Sequence, residues 1–167
     1  MNNLFLSPQP LTEIHKLDGF SCGEPSLDDW LKRRARVNHI NGASRTFVVV
    51  DANQCAIGYY ALAAGAVTHQ DALSAVRRNM PDPMPVMVLG RLAVDTRAQG
   101  IKLGAGLLQD AVVRVRAVSE NVGVRALLVH ALNERAKKFY QKYGFQESPI
   151  HPMTLMLVLK KITLKTE

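Results

Sequence analysis

The chain has 167 residues, 47% of them hydrophobic and 21% charged, which is ordinary globular material with enough length for a sizeable core. Its apolar runs break well before membrane-spanning length, and no charged segment precedes an apolar stretch at the start, so a single cytoplasmic domain over residues 1–167 is expected, with no membrane contact. The net charge of +7 lies wholly in the second half: residues 1–83 carry 8 basic and 8 acidic side chains, residues 84–167 carry 13 and 6, an excess that suits a polyanion and argues against an acidic pocket for a small amine.

Residues 9–17 alternate weakly and predict an edge strand. Ser26-Leu-Asp-Asp29 reads as a capping box opening a helix that carries Trp30, Leu31, Val37 and Ile40 to about Asn41-Gly42. Thr46 to Asp51 and Cys55 to Val67 are β-branched or apolar runs about the turn Asp51-Ala-Asn-Gln54, so a hairpin is predicted. A short helix is expected over 69–78, and Pro81-Asp-Pro-Met-Pro85 forces a loop. Val86 to Val94 is a buried strand in which Gly90 suggests a bulge or a close backbone approach. A long helix follows from Leu103 to about Glu120, with Leu103, Leu107, Leu108, Ala111, Val112 and Val115 as its apolar face. Val124 to Ala131 is the next strand, Asn133 to about Tyr143 a helix closed by Gly144, and Met153 to Leu159 a final strand. The order is mixed α/β: a hairpin, then strand, helix, strand, helix, strand.

The segment from Arg91 to Leu108 carries the strongest chemical signal. An apolar strand runs into the turn Gln99-Gly100-Ile101-Lys102, and the turn opens a helix at Leu103-Gly104-Ala105. Backbone N–H groups there, with the partial positive charge of the helix start, suit a phosphate. The glycine spacing fits neither a P-loop nor a dinucleotide fingerprint. The histidines are scattered and Cys22 and Cys55 are isolated, so two reduced thiols and no metal are expected.

A second motif follows in order: Asn133-Glu-Arg-Ala136, Phe139-Tyr140 and Gly144-Phe145. With the turn at Gln99 to Gly104, it resembles the GNAT family of acetyl-CoA-dependent N-acetyltransferases. The resemblance implies an α+β fold: a central mixed, mostly antiparallel sheet flanked by helices, with acetyl-CoA held in a splay between two strands. It implies that Gln99, Gly100, Ile101, Lys102, Leu103, Gly104 and Ala105 bind the pyrophosphate. Backbone groups of Leu92, Ala93 and Val94 would pair with the pantetheine arm, and Asn133 and Phe139 would also meet the cofactor. Lys102 stands where the family has glycine; its N–H could still serve, its ammonium could reach a phosphate, or it could crowd the site.

Asp28-Asp-Trp-Leu31, Arg45-Thr-Phe-Val48, Arg77-Arg-Asn-Met-Pro81, Gly90-Arg-Leu-Ala-Val-Asp95 and Val129-His-Ala131 are similar to the GNAT toxins of bacterial toxin–antitoxin modules. That resemblance implies acetylation of the α-amino group of aminoacyl-tRNA and a block of translation. It also implies a homodimer and a ribbon–helix–helix antitoxin, with operator DNA repressed and contacted only through the antitoxin complex.

The chemistry asks for few groups. A lysine amine has a pKa of ~10.4, but an α-amino group lies near ~7.7–8 and needs no strong base. A phenol can protonate the leaving thiolate, and the resemblance places that acid at Tyr140. Ala136, Phe139, Tyr140 and Tyr143 also form an ordinary apolar helix face, and Asn133 is equally a helix N-cap. Lys32, Arg33 and Arg36, with Arg77 and Arg78, are candidates for the tRNA backbone, and solvated helix faces are the alternative. Two other functions stay open on sequence: acetylation of a protein N-terminus, lysine or small amine, and a mainly regulatory DNA-binding subunit acting with its antitoxin.

Overall fold

The computed structural model describes residues 7–160. Strand β1 is short, Gln9–Pro10, and antiparallel to β2, Arg45–Val50. The expected edge strand over 9–17 does not continue, because the chain turns at Thr12 to His15 before Lys16 bridges Cys55.

Helix α1 spans Pro25–Arg33 and α2 spans Ala35–Asn41, where one helix is predicted. The break is at Arg34, which ends α1 and caps α2 with φ stretched to −118° at ψ −29°. The predicted capping box does not form. Glu24 is the N-cap and makes no side-chain cap, and Pro25 takes the first helical position, where no N–H is needed. Asp28 instead accepts the Cys22 N–H at 2.9 Å. Gly42 ends α2 with a φ of 79°.

Strand β2 forms the predicted hairpin with β3, Ala56–Val67. Asp51 Oδ1 shapes its turn by accepting N–H groups of Asn53 and Cys55 at 2.9 and 3.0 Å. The helix expected over 69–78 is smaller: a 3₁₀ turn at His69–Asp71, then α3, Ser74–Arg77. Ala72 and Leu73 are extended between them, so the helical hydrogen bonds cannot run through. Strand β4, Met84–Val94, starts inside the proline-rich segment. Gly90 makes no close approach, since a Cβ there would lie 4.0 Å from the nearest atom, the Ala61 carbonyl oxygen.

A 3₁₀ turn at Thr96–Ala98 leads to α4, Leu103–Ser119. Then come β5, Ala126–His130; α5, Glu134–Lys142; β6, Gln146–Glu147, which the sequence does not announce; and β7, Thr154–Val158. The mixed seven-stranded sheet has the order β1-β2-β3-β4-β5-β7-β6 and is flanked by the helices. The chain divides into two compact units. One holds residues to Ala63 with Leu89–Ala111; the other holds Ala64–Val88 with the chain from Val112 onward.

In the first unit, Leu31 and Ala35 pack with Phe20, Val48, Tyr59 and Ala93. Tyr59 is fully buried and its hydroxyl donates to the Leu27 carbonyl at 2.7 Å, so the polar end is satisfied. In the second, Val67, Val76, Met84, Ala126, Leu128 and Met156 form the core. Among the described residues no helix is long and apolar enough to cross a membrane. Cys22 and Cys55 are free thiols.

One glycine sets the distance between β3 and the start of α4. A Cβ at Gly58 would lie 3.0 Å from Leu107 Cδ1 and 3.2 Å from Leu103 Cδ2. Gly58→Val adds two further methyl groups there and is expected to destabilise the fold by about 1–3 kcal/mol. A urea midpoint unchanged from the wild type would contradict this packing.

Candidate acetyl-CoA site

The first unit supplies a turn. At the end of β4, Ala93 is buried while Leu92 and Val94 are half-buried. The Asp95 N–H donates to the Ile57 carbonyl at 2.9 Å, which holds the strand end against β3. Asp95 is 1% exposed, yet its carboxylate is well supplied with donors. Oδ2 accepts the Ser21 N–H at 3.0 Å; Oδ1 accepts the Arg97 N–H and Nε, both at 2.9 Å; Arg97 Nη2 completes a fork to Oδ2 at 3.1 Å. Burial alone would raise the pKa of this carboxyl, but the Arg97 and Ser21 hydrogen bonds outweigh it, and the group stays below the usual range.

Gln99 is exposed, and its side-chain amide donates to the Val94 carbonyl at 3.0 Å and the Cys22 carbonyl at 3.1 Å. Its Nε2 donors tie the turn to the strand, so toward an anion Gln99 has only its backbone N–H to offer. Gly100 has φ 83°, and Lys102 has φ 63°. Lys102 thus keeps the left-handed backbone that a glycine would take most easily. It is exposed, as are Gly100 and Ile101, so its side chain crowds no packed group.

Helix α4 then begins. The Gly106 N–H bonds back to the Lys102 carbonyl at 3.2 Å, so the N–H groups of Leu103, Gly104 and Ala105 precede the first helical bond. Leu103 is buried on Gly58, while Gly104 and Ala105 are half-buried. A helix of 17 residues, entered through two left-handed residues, presents a backbone cradle with positive polarity. This donor set fits a pyrophosphate.

The second unit supplies a tyrosine. Asn133 caps α5, its Oδ1 accepting the Ala136 N–H at 2.9 Å, so the N-cap reading is what the geometry displays. The other end closes tightly: Gly144, at φ 94°, donates to the Gln141 carbonyl at 3.1 Å, and the Phe145 N–H donates to the Tyr140 carbonyl at 3.2 Å. The Phe145 ring packs on Tyr140 with centroids 5.5 Å apart, and Phe139 meets Tyr140 edge-on at 5.3 Å. Tyr140 is 7% exposed, and among the described residues its hydroxyl has no hydrogen-bond partner. Burial pushes its pKa up to about 12, so the phenol is protonated at any ordinary pH. Tyr143, by contrast, is exposed and lies under the Lys142 ammonium, so it is not the packed residue that its periodicity predicts.

The basic candidates separate. Lys32 and Arg33 are exposed in the last turn of α1. Arg36 is half-buried, and its guanidinium donates to the carbonyls of Thr12 and His15, which commits it to holding that loop. Arg77 and Arg78 are exposed at the end of α3. The sequence reading missed the role of Asp95. An Asp just after a strand, two residues before an N–H it can accept, is a turn signal that could have found it. Among the described residues no three His, Cys, Asp or Glu side chains form a metal-ligating group.

Residues 43–147 match the family described as the acetyltransferase (GNAT) domain. The chain is 47% identical over 156 residues to a tRNA-acetylating toxin of Mycobacterium tuberculosis (strain ATCC 25618 / H37Rv), covering 93% of each protein. Among solved structures, AtaT complexed with acetyl-methionyl-tRNAfMet superposes with a TM-score of 0.84 at 28% identity, over 91% of this chain and 94% of that one. The AtaT–AtaR complex bound to DNA, in which AtaR is an antitoxin, gives a TM-score of 0.73 at 30% identity, over 92% and 94% of the two chains. The chain belongs to the GNAT acetyltransferase family, whose members use acetyl-CoA.

A left-handed backbone at a residue with a side chain costs about 1–2 kcal/mol, and glycine returns part of that gain as unfolded-state entropy. Lys102→Gly is therefore expected to raise the melting temperature by about 1–3 °C. A lower melting temperature would mean that the lysine side chain makes a stabilising contact that outweighs the strain.

Proposed function

We propose that this protein is a toxin that transfers the acetyl group of acetyl-CoA to the α-amino group of aminoacyl-tRNA, blocking translation. The observation that carries this reading is the 47% identity, over 93% of both chains, to a tRNA-acetylating toxin. The net charge of +7 supports it, since a basic protein attracts a polyanionic acceptor. A ribbon–helix–helix antitoxin is the proposed partner, with operator DNA reached only through that complex. The AtaT–AtaR complex on DNA supports that arrangement. A homodimer, a single functional domain and a cytoplasmic location belong to the same reading.

The roles follow from each unit taken separately. N–H groups of Gly100 to Ala105 hold the pyrophosphate, with the Lys102 ammonium free to add a charge. Backbone groups of Leu92, Ala93 and Val94 align the pantetheine arm as an added strand. Asn133 and Phe139 stand at the face of α5 that carries Tyr140. Lys32, Arg33, Arg77 and Arg78 meet the tRNA backbone, with Arg36 on α2 supporting by holding the Thr12 to His15 loop.

Acetyl-CoA supplies a thioester whose acetyl group passes to the amine. The amine must be neutral, and an α-amino group with a pKa near ~7.7–8 is partly so at neutral pH without a protein base. Tyr140 acts at the departing sulfur. A phenol at about 12 is a weaker acid than a thiol at ~8.5, so complete transfer from the resting side chain is uphill. Its hydroxyl therefore works by donating a hydrogen bond as negative charge grows on sulfur, and it passes the proton as the amine loses its own.

Three measurements test this. Incubation with labelled acetyl-CoA and charged total tRNA, followed by mass analysis of the released amino acids, is expected to yield N-acetyl amino acids. Labelled protein or small amine with no such product would refute the tRNA assignment. Tyr140→Phe is expected to lower kcat by about 10²–10⁴-fold with the acetyl-CoA affinity retained. In the wild type the rate is expected to rise with pH through the acceptor's ionisation. It should show no alkaline loss below about pH 10, because burial keeps the phenol protonated there. A fall in rate between pH 8 and 9 would remove Tyr140 from that role.

A further inference from the structure

Helix α3 is too short to stand alone. It has four residues, Ser74–Arg77, and its fully buried Val76 is its one anchor in the core of the second unit. A single helical turn is marginal in water, so something else must hold its shape. The structure contains that support in Arg125, which lies just before β5. Arg125 Nε donates to the Val76 carbonyl at 2.8 Å. Its Nη2 donates to the Ala75 carbonyl at 2.9 Å and reaches the Arg78 carbonyl at 3.5 Å. The guanidinium thus closes the carbonyl end of α3, where a positive charge is favoured.

Arg125 is itself fixed by backbone. Its N–H donates to the Pro85 carbonyl at 2.9 Å, and its carbonyl accepts the Leu159 N–H at 3.1 Å. The fork therefore projects from the sheet into the end of the turn that carries Arg77 and Arg78. Both of those side chains are exposed, and among the described residues neither has a carboxylate partner. Among the described residues the Arg77 side chain makes one hydrogen bond, to the His69 carbonyl at 3.4 Å. The exposed guanidinium groups of Arg77 and Arg78, on a turn that the Arg125 fork closes, are suited to a phosphate.

We propose that Arg125 is a positioning residue for the acceptor: it holds Arg77 and Arg78 in place for the tRNA backbone without touching the tRNA itself. The inference rests on the aminoacyl-tRNA reading above and adds the residue that organises that contact. A lysine at 125 would keep the charge but could not fork across neighbouring carbonyls, so charge and geometry can be separated.

The test is steady-state kinetics of the full chain with aminoacyl-tRNA and acetyl-CoA varied in turn. Arg125→Gln and Arg125→Lys are both expected to raise KM for aminoacyl-tRNA by about tenfold, with KM for acetyl-CoA unchanged. In a background of Arg77→Ala with Arg78→Ala, which itself raises KM for tRNA, Arg125→Gln is expected to add nothing. Independent additive losses would overturn the proposal, because Arg125 would then act by itself. So would a full rescue by lysine, an equal rise in KM for acetyl-CoA, or no rise at all. If the double alanine variant keeps a normal KM while tRNA is still acetylated, this inference falls and the tRNA reading stands. If the wild type acetylates no tRNA, both fall.

Discussion

The buried carboxylate of Asp95 is the fixed point on which the turn before α4 depends. It sits where β4 ends, and its two oxygens collect donors from Ser21 and from both the backbone and side chain of Arg97. A buried carboxylate is tolerable only when so supplied. Its consequence is geometric. The chain leaves the strand in one direction, Gln99 ties the turn back to the carbonyls of Val94 and Cys22, and the two left-handed residues that follow aim the start of α4. The cradle is therefore preformed, with little left for a ligand to order.

The tyrosine in the second unit is held by a different device. Its backbone carbonyl is part of the hydrogen-bonded closure that Gly144 permits, and the residue that completes the closure, Phe145, also packs on its ring. One glycine thus fixes both the end of α5 and the setting of the Tyr140 side chain. A core residue can thus keep a polar end open for the proposed role: the ring is packed, while the hydroxyl has no protein partner among the described residues. Burial keeps the hydroxyl protonated and so available as a donor.

Local periodicity made most of the fold legible. The hairpin, α4, β5, α5 and β7 all fall where apolar spacing and turn residues place them. The misreadings come from places where distant groups override local preference. Ser26 looks like a cap, but Pro25 starts the helix first. Residues 69–78 have helical spacing, yet His69 Nε2 is drawn to the Met80 and Pro81 carbonyls at 2.9 and 3.0 Å, and only a short helix remains. Strand β6 is two residues of exposed backbone pairing, which leaves no hydrophobic pattern to read.

The sequence by itself determined the kind of chemistry. The turn before α4 suits a phosphate and the charge excess suits an anionic acceptor, while the acyl donor comes from the family resemblance that the turn and the Asn133 to Phe145 motif carry together; such signals are local in the chain. Only the tertiary structure decided which side chains are at liberty to act. Arg36 and Arg77 read alike as surface cations, yet one is spent on loop carbonyls and the other is left exposed. Lys102 could by sequence either serve the turn or crowd it, and the structure gives it the left-handed backbone that a glycine would take most easily. Arg125 carried no signal at all, since the carbonyls it joins lie 47 to 50 residues away, and hydrogen bonds of that range exist only once the sheet has assembled.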